Sequence, residues 1–457
     1  MLIIKNKGWY MKTSRLLKGS LLIAILFPPM LEAQEYKLSD SLSNEPLIKD
    51  SKLELFLRNR FKYLNENEVG PTYIHTAWAQ TIGLNYESGL WKEILGFDVS
   101  YTTVTKLGAS DYFASRDLLW NDGPGFKSSN AKGFTKFNNR YIKLHLGDEQ
   151  GLNYKAKYGW QPAHMYTVLK SPYESAQNSY LGYTGTLTYH DFSVDTLYVD
   201  SVMERFSPNK EKLRSRSNEA IEYIAAGGIN YKTKEIKATY NYGYAKDFID
   251  RHFIDFNYMP YSNITLGFRA VGNVPQEMYK NMPSSRQAAN GSSWVYEGTV
   301  KWQYNNLGMK VGIGYTDAAK NDGSLGYFDR HPVKNARWRL DPMSSAAYHY
   351  QRDGELALTG LIDYKYAEDF YSAIQLNYGQ FDFKNNKIKT GELNLINAWQ
   401  PSHPSLKNFT VFTKLTKAWL YQAEGNRVQP VFDDNGHYIR RNSIAADIIF
   451  DYKFNLF

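Results

Sequence analysis

The chain has 457 residues, of which 43% are hydrophobic and 16% aromatic, with 37 Tyr and 24 Phe. It contains no cysteine, which excludes disulfide frameworks and thiolate metal sites. The net charge is +8, falling to +4 without the leader read below, which is too mild to point to nucleic acid as a partner.

The chain opens as a secretory leader. A basic stretch from Met11 to Lys18 precedes a short apolar run at 21–27, and Leu31-Glu32-Ala33 is an acceptable cleavage site before Gln34. The apolar run is too short to span a bilayer. Residues 1–33 are therefore read as a signal peptide, with either Met1 or Met11 as the start. Its removal takes away Lys5, Lys7, Lys12, Arg15, Lys18 and Glu32; 54 basic and 46 acidic residues become 49 and 45, a balance of +4. No later apolar run approaches the roughly 18 residues of a spanning helix. A polar lead without fixed structure is expected over 34–50.

From residue 51 onward, strand follows strand. Leu53, Leu55 and Leu57 alternate with Lys52, Glu54, Phe56, Arg58 and Arg60. Trp78, Ile82, Leu84 and Tyr86 alternate with small and polar residues, and Leu95, Phe97, Val99 and Tyr101 do the same. Residues 139–160 read as a hairpin: Ile142, Leu144 and Leu146 share one face of the first arm, opposite Tyr141, Lys143 and His145. In the second arm Tyr154, Ala156, Tyr158 and Trp160 oppose Asn153, Lys155 and Lys157. The intervening Gly147-Asp148-Glu149-Gln150-Gly151 is turn chemistry. Similar segments centre on Thr184, Val199, Ala225, Tyr240, Phe256, Leu266, Gly298, Ile313, Leu361, Gln375, Leu395, Leu415 and Ile448. The total is about eighteen, an even number.

Connection lengths alternate. Those near 148–150, 233–234, 260–263, 305–308 and 367–369 are short, whereas 105–138, 161–179, 271–292, 317–354 and 421–442 are long. Barrels of the outer membrane have short periplasmic turns and long extracellular loops. A soluble sandwich has no reason to keep that parity. The last strand carries Ile444, Ala446, Ile448, Phe450, Tyr452 and Phe454 on one face and ends at Phe457. The fold expected over 51–457 is an all-β, transmembrane antiparallel β-barrel in the outer membrane of a Gram-negative bacterium.

Several segments resemble a known family, the OprD-like substrate-specific porins, which include chitoporins. They are LFLRNR (55–60), AWAQ (77–80), LNYESG (84–89), GFDV (96–99) and KAKYGWQP (155–162), with a weaker likeness at YGYAKDF (242–248). The resemblance implies an eighteen-stranded channel narrowed by inward-folded extracellular loops, here 161–179 and 317–354. It also implies a row of basic residues along one lumen wall. The chain departs from the family where Trp160 replaces an expected arginine, and its lumen cations are mostly lysines.

Alternation nominates Arg58, Arg60, Lys143, Lys155, Lys157, Lys237, Arg269, Lys301 and Lys310 as pore-lining cations. Arg58, Arg60, Lys155 and Lys157 are expected to form the working row. Glu54, Asp98, Glu297 and Asp363 are expected to face these cations across the water and set up a transverse field. Most tryptophans fit interfacial girdles. Loop aromatics Tyr166, Tyr173, Tyr327, Phe328 and Trp338 are either packing groups or a slide for sugar rings. His75, His145, His164 and His190 are isolated, and no Gly-x-Ser-x-Gly elbow occurs, so neither an enzyme nor a metal or cofactor is expected.

The expected function is passive uptake of small hydrophilic solutes bearing carboxylates, such as amino acids, organic acids and short peptides. The alternatives are an oligosaccharide channel and a surface adhesin. The expected partners are membrane lipid, the solute and the barrel-assembly machinery acting through the C-terminal strand, with a monomer or weak trimer as the assembly.

Overall fold

The computed structural model describes residues 45–457, apart from 68–72, 114–116, 166–167, 172, 216–217, 337–344 and 425–427. The leader at 1–33 and residues 34–44 lie outside the described residues. The end of the lead is not without structure. Pro46–Lys49 makes one helical turn, and the Gly89 amide donates to the Leu47 carbonyl at 3.0 Å. A Cβ on Gly89 would lie 2.0 Å from the Pro46 carbonyl oxygen, so only glycine admits this contact.

Eighteen strands form the wall. They are β1 (Lys52–Asn67), β2 (Tyr73–Glu87), β3 (Leu95–Ala109), β4 (Phe134–Gly147), β5 (Leu152–Gln161), β6 (Ser179–Tyr189), β7 (Phe192–Met203), β8 (Ile224–Lys232) and β9 (Ile236–Ala245). The second half comprises β10 (Ile249–Tyr261), β11 (Ile264–Pro275), β12 (Ser293–Tyr304), β13 (Leu307–Asp317), β14 (Leu356–Lys365), β15 (Phe370–Phe383), β16 (Asn386–Trp399), β17 (Phe409–Tyr421) and β18 (Arg440–Asn455). Each pairs antiparallel with its neighbour in the chain. β1 also pairs with β18, from Glu54↔Asn455 to Asn67↔Asn442, and this closes the sheet into a barrel. Closure leaves no unpaired strand edge, which hydrocarbon would penalise.

Side chains alternate between the two surfaces of the wall. The outer one carries Ile82, Ile142, Ile229, Val311, Ile374 and Leu393, all exposed. Rings cluster at both rims of this apolar belt. Trp302 and Tyr304 stack at 5.7 Å and Phe409 meets Tyr452 at 6.0 Å at one end, while Trp294 and Tyr296 stack at 6.0 Å at the other. The inner surface is polar yet buried: Thr81, Thr102, Asn377, Thr390, Glu392 and Asn394 are almost wholly covered.

Connections at one end of the barrel, 88–94, 148–151, 190–191, 233–235, 262–263, 305–306, 366–369 and 400–408, are all short. At the other end lie 110–133, 162–178, 204–223, 276–292, 318–355 and 422–439. Only 68–72, 246–248 and 384–385 are short at that end. The long-loop end is the extracellular one.

The turn between β4 and β5 shows how residue choice sets the short end. Asp148 N donates to Leu152 O at 3.1 Å, and Asp148 Oδ1 accepts from Gln150 N at 3.0 Å. Gly147 sits at φ 90°, where a Cβ would come within 2.1 Å of the Leu152 carbonyl oxygen. A Gly147→Val substitution should therefore destabilise the barrel by about 1–3 kcal/mol in urea unfolding from detergent micelles. Gly151→Ala, whose Cβ would meet nothing closer than 3.9 Å, should change stability by less than about 0.5 kcal/mol. Equal unfolding midpoints for the two variants would contradict this reading of the turn.

Candidate functional site

A cluster of paired ions is built where Tyr173 and Glu174, from the connection between β5 and β6, reach the inner face of β1. Arg58, Arg60 and Lys62 stand two residues apart and so share the inner face of that strand. Register places Asp451 of β18 opposite Arg58 and Asp447 opposite Lys62. Arg58 grips Asp451 with two hydrogen bonds, Nε to Oδ1 at 2.7 Å and Nη2 to Oδ2 at 2.6 Å. Arg60 reaches diagonally and holds Asp447 in the same forked way, at 3.0 and 2.7 Å.

The loop supplies a third carboxylate. Glu174 Oε2 lies 2.7 Å from Arg60 Nη1 and 2.6 Å from Lys62 Nζ. Arg58 Nη1 donates to the Glu174 carbonyl at 2.7 Å, and its guanidinium lies 4.6 Å from the centre of the Tyr173 ring. Tyr173 in turn meets Phe56 edge to face at 5.3 Å. Burial alone would raise the Glu174 carboxyl, but Lys62 and Arg60 outweigh it and hold the group well below the usual carboxylate range. Burial pushes the Tyr173 phenol up.

Further ties hold the same loop from behind. Asn178 Oδ1 accepts from Arg205 N at 2.6 Å, Lys136 Nζ donates to the Gln177 carbonyl at 3.2 Å, and the buried Arg205 pairs with Asp117. On its extracellular side the clamp opens into a chamber of about 520 Å³, lined by Arg60, Lys62, Glu174, Lys414, Arg441 and Asp447 among others.

Described residues of loop 318–355 are fastened to other strands. Phe328 is 1% exposed and packs with Phe253, Val271 and Val295. Arg251 donates to the Asp329 carbonyl at 2.7 Å. Glu355 accepts from Arg352 N at 2.9 Å, and burial pushes its carboxyl up to about 7, against the pull of Arg352.

The remaining sequence candidates fall into separate groups. Lys143 Nζ pairs with Asp98 at 2.7 Å, and Tyr141 donates to the same carboxylate at 2.6 Å. Lys157 Nζ lies 4.9 Å from the Tyr141 ring centre. Lys155 pairs with Glu149 at 3.0 Å beside the short turn and is half exposed. Arg269 pairs with Asp255 at 2.8 Å and lies 3.6 Å from Glu297. Lys301 and Lys310 stand directly opposite each other on β12 and β13, and Lys232 and Lys237 do so on β8 and β9. None of these four lysines is in an ion pair among the described residues.

Two expectations are corrected here. Arg58 and Arg60 do not form one row with Lys155 and Lys157, because β2, β3 and β4 stand between β1 and β5, and each strand adds roughly 4.8 Å. The acidic residues also do not face the cations across water. Asp98 and Glu297 sit beside Lys143 and Arg269 on the same wall, Glu54 lies 3.5 Å from Lys453, and Asp363 lies over Gly308 in a groove of about 340 Å³ shared with Lys301 and Lys310. Neighbouring strands bring opposite charges together at shorter range than a lumen can. Nor do the aromatics form an open slide: Phe328 is core, Tyr173 is wedged between Phe56 and Arg58, and Tyr327 bridges to Arg352 through the backbone. Tyr166 and Trp338 lie outside the described residues.

Lys62, Glu174, Asp447 and Asp451 were not among the sequence candidates. Lys62 continues the inward period of Arg58 and Arg60, and both aspartates lie on the inward phase of the last strand, so their facing was readable. Their partners were not.

A closed antiparallel barrel of eighteen strands with short turns at one end and long loops at the other is the architecture of outer-membrane barrels. No protein-family model and no curated protein matches the chain. Solved structures do. Pseudomonas aeruginosa OpdQ is 15% identical, covering 90% of this chain and 100% of that one at a TM-score of 0.66. Acinetobacter baumannii OccAB3 is 15% identical over 89% and 100%, at 0.68. P. aeruginosa OpdK, in a structure with vanillate, is 13% identical over 89% and 99%, at 0.68. The chain thus has the fold of the OprD-like porins.

The clamp makes a direct prediction. Glu174→Gln removes one partner from a buried ion cluster, which weakens loop docking by about 3 kcal/mol. Single-channel conductance in planar bilayers should rise or flicker at neutral pH. The same contact in the unaltered protein has a defined pH sign. A depressed carboxyl stabilises docking above its ordinary value of about 4.3, and that support is lost as pH falls through the depressed value. Acidification of the unaltered protein should therefore move its conductance toward that of Glu174→Gln. Identical, steady conductance of both proteins at neutral pH would show that the loop is held by other means.

Proposed function

We propose that this protein is a passive outer-membrane channel for small hydrophilic solutes, with a preference for those bearing a carboxylate. One observation carries the preference. Arg60 and Lys62 already bind a carboxylate inside the barrel, that of Glu174, at 2.7 and 2.6 Å. Those donors are taken up by Glu174 and Asp447, so they show the chemistry this wall accepts, while the lysines below it are what a passing carboxylate meets. Below the clamp, the opposed pairs Lys232–Lys237 and Lys301–Lys310 extend positive charge toward the periplasmic mouth. Like charges directly opposite each other are unfavourable for the sheet, and attraction of anions accounts for keeping them.

Oligosaccharide passage has no comparable support, since Tyr173 and Phe328 are packed rather than ranged along a path. The vanillate found with OpdK is an aromatic carboxylate, in line with the solute class proposed here. Insertion through the barrel-assembly machinery by way of the C-terminal strand, and a monomeric or loosely trimeric state, belong to the same reading.

The test is a reversal potential in a low-salt gradient. Each lumen lysine contributes about 1 kcal/mol or less in water. Replacing Lys232, Lys237, Lys301 and Lys310 together with Gln should shift the potential toward cations and slow liposome swelling by benzoate relative to benzamide. Replacing Arg58 and Arg60 should shift it less at neutral pH, because both are already paired. The first shift should vanish near 1 M salt, where the screening length is about 3 Å. An unchanged potential at low salt with the four lysines replaced would overturn the proposal.

A further inference from the structure

The Trp160 position, where an arginine is expected, has a use on the other side of the wall. Trp160 is the penultimate residue of β5 and lies on its outward phase with the exposed Tyr158, but its own ring is covered, at 8% exposed. Register sets it against Arg140 of β4 and Leu181 of β6. Arg140 is outward as well: it is in phase with the exposed Ile142 and opposite Val99, whose outward neighbours on β3 are Phe97 and Tyr101. Its guanidinium lies 5.4 Å from the Trp160 ring centre, and Lys210, from loop 204–223, places Nζ 5.7 Å from the same ring.

Neither cation is neutralised. Arg140 Nη1 donates to the Phe137 carbonyl at 3.0 Å, and the covered Nη2 has no hydrogen-bond partner among the described residues. Neither Arg140 nor Lys210 is in an ion pair among the described residues. A cation on the lipid face of a barrel is unfavourable in proportion to its depth. Here two converge on one indole at the extracellular edge of the apolar belt, the level of lipid headgroups. That side of the membrane is where phosphorylated glycolipid is concentrated. A guanidinium fork suits a phosphate, and a lysine adds a point charge.

We propose that Arg140, Trp160 and Lys210 form an outward-facing site for the phosphate of an outer-leaflet lipid. Arg140 and Lys210 offer the phosphate the exposed parts of their charged groups, and the covered indole beneath them holds the two cations side by side. Binding there would fasten loop 204–223 to the membrane without touching the lumen.

Native mass spectrometry of the full barrel in neutral detergent tests this, with bisphosphorylated lipid A, the same lipid after phosphatase treatment, and inorganic phosphate as probes. The unaltered protein should retain lipid A and lose it when the phosphates are removed. Arg140→Gln should weaken retention at least about tenfold, a loss in the range of one charged hydrogen bond. Lys210→Gln, a loop change that leaves the wall intact, should weaken it in the same direction and keeps the test valid if the Arg140 variant folds poorly. Lys212→Gln, at a neighbouring lysine already 3.7 Å from Asp200, should have no effect. Single-channel conductance of the Lys210 variant should equal that of the unaltered protein. Equal retention of dephosphorylated lipid, or no loss in the Arg140 and Lys210 variants, would overturn the proposal. So would saturation of the site by inorganic phosphate alone.

Discussion

Everything in this molecule depends on β1 meeting β18. Their pairing, from Glu54↔Asn455 to Asn67↔Asn442, satisfies the last two strand edges. In hydrocarbon an unpaired backbone group has no water to turn to. The first and last strands of the wall are locked to each other as a result: the Leu53 amide donates to the Phe457 carbonyl at 3.1 Å, and the Leu456 amide to the Leu53 carbonyl at 2.8 Å. Closure also fixes which side chains share the inner face. It sets Asp451 and Asp447, from the end of the chain, beside Arg58 and Arg60, from its beginning.

That juxtaposition decides the electrostatics of the pore. A basic row on a free wall would present several uncompensated charges. Here Arg58 and Arg60 are each held by a forked carboxylate, and Glu174 adds a further negative charge from the loop. This part of the lumen wall is thus a lattice of paired ions that positions the loop, rather than a bare positive surface. Opposed lysines nearer the periplasmic mouth differ, because sheet register places like charges together there. The lumen wall is compensated beside the docked loop and positive nearer the periplasmic mouth. The outer surface obeys the same physics with lipid in place of water, and the Arg140–Trp160–Lys210 group is the place where charge meets the belt's edge.

The wall was legible in the sequence because a period of two needs no knowledge of partners. Alternation alone placed Thr184, Gly298 and Ile448 within strands and gave Arg58, Lys143 and Lys310 a common facing. Connection length located the extracellular end. The site was legible only in part. Arg58 and Asp451 are 393 residues apart, and Lys62 and Glu174 are 112 apart. No local pattern announces such contacts, which exist only once the ring is closed and the loop folded in. The same gap explains the acidic residues. Their inward facing follows from phase, but whether they sit across the lumen or beside a cation depends on strand order and register. Phe328 illustrates the limit for loops, where one exposed-looking ring in a polar segment becomes core against Phe253 and Val271.

The central claim, that carboxylates compensate the cations beside the docked loop, is tested most directly by removing them. The measurement is the reversal potential in a low-salt gradient at neutral pH, for the unaltered protein and for the combined change Glu174→Gln, Asp447→Asn and Asp451→Asn. The account predicts a modest anion preference that becomes strong in the variant, as each lost carboxylate uncovers a cation. A potential that stays constant, or moves toward cations, would contradict it.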